Sequence, residues 1–266
     1  MIRKIGFHML TAVLGLVGVS LAGADVARAV DLTFDVTDYS YSETDDNGNF
    51  QMTDDSKWPF LSLGVRDWDR PAEDGKFGLI YNGEATYGHT HYHGRSAGTM
   101  MKRYYKGRLE GNLTYRLNDM ITPFAGLGYR IVHDDSGGHF PSNGGVSYDR
   151  QNHLVYVPFG FLINPVENLT FKAQANAVLL GRQISFTSDG DTGYPDGHNQ
   201  QDKGWGVDFA ADYRMTEKWS VYGFYRYWSI DRSDSACGDV AGQGYVCWWE
   251  PDNTTTEIGV GVAYKF

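Results

Sequence analysis

The segment His89-Thr90-His91-Tyr92-His93 places histidine at every second position. On an extended strand this spacing puts three imidazoles on one face, neighbours about 7 Å apart. Imidazole suits borderline metals such as Zn²⁺, Cu²⁺ or Ni²⁺, provided a fourth ligand closes from another loop. Histidine beside Tyr87 and Tyr92 equally suits a wet rim that holds no metal. Glu43, Asp45, Asp46, Asp54 and Asp55 crowd a second polar stretch. Carboxylates in a flexible loop could take Ca²⁺, yet their spacing follows no established calcium loop.

The N-terminus bears on where such residues would stand. Met1-Ile2-Arg3-Lys4 is basic, an apolar run follows to about Leu21, and Ala27-Arg28-Ala29 forms an A-x-A pattern. That is the layout of a secretory signal peptide, so residues 1–29 are expected to be removed and 30–266 to form the mature domain. The apolar run is short for ~30 Å of hydrocarbon, which argues against a retained helix. The chain carries a net charge of −10. Without residues 1–29, which include Arg3, Lys4, Arg28 and Asp25, it would hold 20 basic and 32 acidic residues. An acidic surface of this kind excludes nucleic acid as a direct partner. In an exported chain, Cys237 and Cys247 in their Gly-rich stretch read as one disulfide pinning a loop. Two thiolates with no nearby histidine make a poor metal site.

The elements that must hold these residues are strands. In Thr256 to Phe266, Ile258, Val260, Val262, Tyr264 and Phe266 alternate with Glu257, Gly259, Gly261, Ala263 and Lys265, which sends the two sets to opposite faces. This segment resembles the terminal strand of Gram-negative outer-membrane β-barrels. The resemblance implies an aromatic end, here Phe266, read by the barrel-assembly machinery. The same alternation recurs at Leu32–Thr37, Phe77–Ala85, Arg108–Arg116, Leu169–Ala177 and Trp205–Arg214. Mean hydropathy is only −0.42, as expected where lipid-facing apolar residues alternate with polar lumen residues.

Short turn-like segments (Leu117–Met120, Asn164–Asn168, Met215–Lys218) alternate with long polar stretches at about 43–57, 93–103, 133–151, 188–203 and 231–253. Short turns on one side and long loops on the other are the asymmetry of outer-membrane barrels. The expectation is an all-β, transmembrane, antiparallel up-and-down barrel of about ten strands. Eight is the alternative if the poorly patterned Trp58–Trp68 region pairs differently. Acidic loops would face the lipopolysaccharide layer. Tyr245, Trp248 and Trp249 could line a binding patch or join the aromatic girdle.

The inward faces would carry the acids Asp35, Glu84, Glu110, Asp208, Asp212 and Glu257. Among them stand the bases Arg66, Arg108, Arg130, Lys172, Arg182, Arg214 and Arg226. In a barrel this narrow, side chains fill the interior. Opposite charges there should pair, because an unpaired buried charge is costly. A side-chain plug is the favoured reading and a narrow porin-like ion or solute path the alternative. The strand count and the rhythm of the C-terminal half resemble the omptins, ten-stranded surface proteases. That resemblance implies an Asp pair facing an Asp–His pair across an external groove. Asp196-Gly197-His198 and His133-Asp134-Asp135 are the nearest candidates, and Asp67-Trp68-Asp69 would lie at the wrong end. The catalytic residues therefore do not transfer, and a structural or loop-binding role is expected over a hydrolase.

Overall fold

The computed structural model describes residues 30–68, 75–137, 139–144, 147–190, 193–240 and 243–266. The expected signal segment, residues 1–29, lies outside them, as does Asp69. Among the described residues fourteen strands run in chain order: β1 (Asp31–Thr44), β2 (Phe50–Ser56), β3 (Phe60–Asp67), β4 (Phe77–Gly94), β5 (Gly98–Tyr115), β6 (Ile121–Asp135), β7 (Asp149–Val166), β8 (Leu169–Phe186), β9 (Gly197–Gln200), β10 (Gly204–Arg214), β11 (Trp219–Ile230), β12 (Ala236–Val240), β13 (Gly244–Trp248) and β14 (Asp252–Lys265).

All but β12 and β13 form one antiparallel sheet that closes on itself. β2 and β3 share one position between β1 and β4, while β9 and β10 share one against β8. The barrel therefore has ten wall positions, not eight. The Trp58–Trp68 region lacks clear alternation because its wall position is broken. Lys57 still donates its N–H to the His89 carbonyl of β4, but Trp58 and Pro59 interrupt the ladder between β2 and β3, where proline has no N–H to donate.

Following partner residues once round the wall from His91, through Asp55, Ser40, Thr256, Tyr227, Val207, Ala175, Phe159, Ala125 and Leu113, returns to β4 at Leu79. The stagger is thus 12 residues over ten positions. It tilts the strands by about 40° and sets a backbone radius of about 10 Å, which leaves room for side chains and little else.

Alternation sorts the faces. Phe34, Leu63, Leu79, Leu113, Leu127, Phe161, Phe209 and Val260 are exposed on the outer wall. Aromatic pairs frame this belt at both ends. Phe77–Tyr115 and Trp219–Tyr264 lie toward the short turns, Tyr87–Tyr105 and Trp205–Tyr227 toward the long connections. Phe77 and Tyr87 share one face of β4 and stand about 25 Å apart along the axis, the height of a lipid-facing band. Inside, small aromatic clusters such as Tyr39, Phe60, Tyr104 and Val132 separate the charged layers. Several inner rings lie against glycine: a Cβ at Gly88 would overlap the Phe60 ring, and one at Gly259 the Phe224 ring.

The long connections differ from expectation. Residues 93–103 are not a loop, because β4 and β5 continue to Gly94 and from Gly98, leaving a three-residue turn. Much of 43–57 is likewise strand, and Glu43 and Asp54 point inward and are buried. Within 231–253, β12 and β13 form a separate two-stranded hairpin. Arg182 faces outward rather than inward. The ladder steps from Leu180 to Val178 against Val155 and Tyr156, so Leu179 is an extra residue that inverts the parity above it.

Candidate functional site

The lumen charges form layers. Nearest the short turns, Arg66 meets Asp31 at 3.3 Å and pairs with Asp212, which also accepts from Ser220 at 3.0 Å. Asp35 accepts from the Tyr222 hydroxyl at 2.9 Å. In the next layer Arg108 pairs with Asp208 and lies 2.6 Å from Glu110. Glu110 also meets Lys172 at 3.4 Å and accepts from the Tyr156 hydroxyl at 2.8 Å. Across the lumen Glu84 receives both Arg226 amino groups at 2.8 Å. Glu257 receives Lys106 at 2.5 Å and Arg226 at 3.3 Å. Arg130 lies in the same region over the Trp228 ring, 5.4 Å from its centroid. Of the thirteen charges expected on the inward faces, eleven lie in the lumen, whereas Arg182 faces outward and Arg214, at the short-turn end of β10, is exposed.

A further cluster above them joins Glu43, Asp54 and Asp134, expected in the external loops, to Lys102, Arg150 and Glu250, which the sequence pattern does not single out. Lys102 sits between Asp54 at 2.8 Å and Asp134 at 2.7 Å. Arg150 reaches Glu43 at 2.6 Å, Asp134 at 3.0 Å and Glu250 at 3.6 Å. Glu250 belongs to the connection after β13. Its burial pushes the carboxyl above the ordinary range, partly offset by Arg150 and by the hydrogen bond from Ser185. Three lumen cavities lined by described residues have volumes of about 30, 30 and 10 Å³, room for one or two waters in each of the larger two and for at most one in the third.

The histidines stay out of the lumen mouth. His89, His91 and His93 lie on the outer wall of β4, where Tyr87 contacts His89 at 3.2 Å and Phe50 stacks on His93. Among the described residues no three His, Cys, Asp or Glu side chains converge as a metal-holding group. Asp196 accepts from Ser188, while His198, on the outer face of β9, lies 2.9 Å from Arg182. They are therefore not a working pair. His133 and Asp134 likewise occupy opposite faces of β6.

The hairpin β12–β13 stands on the external side. Cys237 and Cys247 face one another in its ladder and are joined by a disulfide. Trp248 turns down against Tyr194 and Gly197. Tyr245 and Trp249 are left exposed, at 72% and 46%. The hairpin's base is tied to the wall through Asn199 of β9, which donates to the Asp234 carbonyl at 2.9 Å, and through Ser185 of β8, which donates to Glu250 at 2.8 Å.

An apolar belt of bilayer height, aromatic rings at both edges and a wall without a free edge define the class. The chain is a ten-stranded outer-membrane β-barrel, and its place is the bacterial outer membrane. No protein-family profile matches the sequence, and no curated protein does. Among solved structures, the outer-membrane protease OmpT from Escherichia coli shares the fold with a TM-score of 0.53 at 11% identity, covering 93% of this chain and 100% of that one. The translocator domain of the autotransporter NalP from Neisseria meningitidis matches at 0.40 and 11%, covering 99% and 98%. The P. putida toluene transporter TodX matches at 0.37 and 10%, covering 93% and 91%.

Proposed function

We propose that this barrel does not conduct, and that it serves as a rigid mount for an external binding surface, a structural or adhesive role. The observation that carries the reading is the filled lumen, whose charges pair from the short-turn end up to Glu250 and whose described cavities are no larger than about 30 Å³. Side chains so packed and so paired cannot part without leaving buried charges unmatched. The exposed Tyr245 and Trp249 on a disulfide-pinned hairpin supply anchors of the kind that dominate binding surfaces. On this reading the partners are the lipid and lipopolysaccharide around the belt. During insertion they include the barrel-assembly machinery, which would read the strand ending at Phe266. The alternatives are a small-solute channel and a surface hydrolase.

The test has two parts. In planar bilayers the refolded protein is expected to give no unitary conductance steps, and reproducible steps lost in a lumen variant would establish the channel instead. On arrays of immobilised glycans and extracellular-matrix proteins, retention is expected to fall when Tyr245 and Trp249 are both replaced by alanine. Peptide cleavage abolished by His198→Ala would favour the hydrolase.

A further inference from the structure

Above the lipid-facing belt, strands β6 to β9 carry a run of hydrogen-bond donors on the outer wall. His153 and Arg182 stand directly opposite one another in the β7–β8 ladder, which brings their Cβ atoms to about 5 Å. The Tyr129 hydroxyl lies 2.7 Å from His153 Nδ1, and an Arg182 amino group lies 2.9 Å from His198 Nδ1. A guanidinium can only donate, so His198 accepts at Nδ1 and carries its hydrogen on Nε2. The Tyr129 hydroxyl has no other acceptor among the described residues, so it donates to His153 and sets the same tautomer there. No described carboxylate lies within ion-pair reach of Arg182, and most of its N–H fork is unused. Elsewhere on this wall charge is matched or reversed. Arg103 on β5 pairs with Asp135 at 3.0 Å, while β1 and β2 turn Asp38 and Asp55 outward.

The wall sets the level of this run. At a tilt of about 40° each residue climbs about 2.5 Å along the axis, and each ladder step from β4 towards β8 adds about 3 Å. Followed through the ladder, Tyr129 belongs to the external aromatic ring with Tyr87 and Trp205, and His153 and Arg182 lie about 4–8 Å above that ring. There acyl chains give way to headgroups. Below Arg182, Leu179 and Leu180 are exposed on the wall. Leucines surmounted by donors match an amphiphile with an acceptor-rich headgroup.

We propose that this sector holds a phosphate monoester of an outer-leaflet lipid, the lipid A phosphate of lipopolysaccharide, between Arg182, His153 and His198. Two phosphate oxygens suit the planar guanidinium fork, and the two Nε2–H groups meet the others. A hydroxyl or an ammonium headgroup would bring donors of its own, for which these three side chains offer no acceptor. The site rests on the lipopolysaccharide contact proposed above and assigns it to one chemical group and one side of the barrel.

The test uses nanodiscs of phosphatidylcholine doped with bisphosphorylated lipid A, or with the same lipid A after dephosphorylation. Native mass spectrometry of the refolded protein released from them counts the lipid A retained. The bisphosphorylated form is expected to stay and the dephosphorylated form to be lost. Arg182→Gln/His153→Gln should cut retention about tenfold, as expected for the loss of charge-assisted hydrogen bonds. Arg182→Gln alone serves if the double variant does not fold. Arg103→Gln, whose charge Asp135 already meets, should leave retention unchanged. Equal retention of both lipids would overturn the phosphate site and leave the lipid contact standing, whereas retention of neither would overturn both. Undiminished retention by the folded Arg182 variant would also overturn the site. Displacement by millimolar inorganic phosphate would make the ligand a soluble anion and overturn the lipid assignment.

Discussion

Lys106 Nζ lies 2.5 Å from a Glu257 carboxylate oxygen, although β4, β3 and β1 separate their strands in the wall. The contact crosses the lumen, so it holds the cylinder in cross-section as no ladder hydrogen bond can. Both side chains are buried. Lys106→Met is therefore expected to destabilise the barrel by about 3 kcal/mol, because it leaves Glu257 short of a partner. The double variant Lys106→Met/Glu257→Gln should recover much of the loss. Urea unfolding in detergent or liposomes checks both, and a double variant as unstable as the single would refute the pairing argument.

Glycine placement gives a contrast within one fold. Ala at Gly88 would drive its methyl into the Phe60 ring, whereas a Cβ at Gly111, on the outer wall, meets nothing within 4 Å. Overpacking of this kind costs about 1–3 kcal/mol. Gly88→Ala should lower the unfolding midpoint clearly, and Gly111→Ala should leave it near the wild-type value.

Replacing Cys237 and Cys247 by serine opens a loop with a sequence separation of 10. Loop-closure entropy for so short a loop is worth ~2–3 kcal/mol, confined to the hairpin. The barrel's unfolding midpoint should hardly move. Limited proteolysis should cut between residues 236 and 248 far faster than in the oxidised protein.

The pH response of the outer end follows from Glu250. Burial raises its folded pKa above the unfolded value. Between those two values the folded protein keeps a proton that the unfolded chain has released, so stability falls as pH rises through that window. Glu250→Gln is expected to remove this descending limb and to protect residues 231–251 at neutral pH. Hydrogen exchange of that segment, measured from about pH 4 to about pH 8, reads the difference. A limb unchanged in the variant would assign it to another group.

The fold was legible where the bilayer enforces contrast. β14 alternates strictly because one face meets lipid and the other the lumen. Beyond the belt that contrast disappears. On β5, Lys102, Tyr104 and Lys106 share the inward parity of Arg108 and Glu110, but Arg103 also stands on the outer face and the pattern reads as loop. The orientation of Arg182 turned on one inserted residue at Leu179, which no composition reveals. Partner choice was beyond reach for a different reason. Whether Arg66 meets Asp212 or another acid depends on the stagger of the whole wall, a property of ten strands together.

The wall that continues past the Tyr87–Tyr105 pair to Gly94 has a consequence of reach. Seven further residues of tilted strand lift the β4–β5 turn by about 18 Å above the aromatic ring. Hydrogen-bonded on both sides almost to its tip, this rim works as a stiff collar through the sugar layer next to the membrane. For the binding role proposed above, such a collar would let a large partner be engaged in open solution, without having to thread between lipopolysaccharide chains.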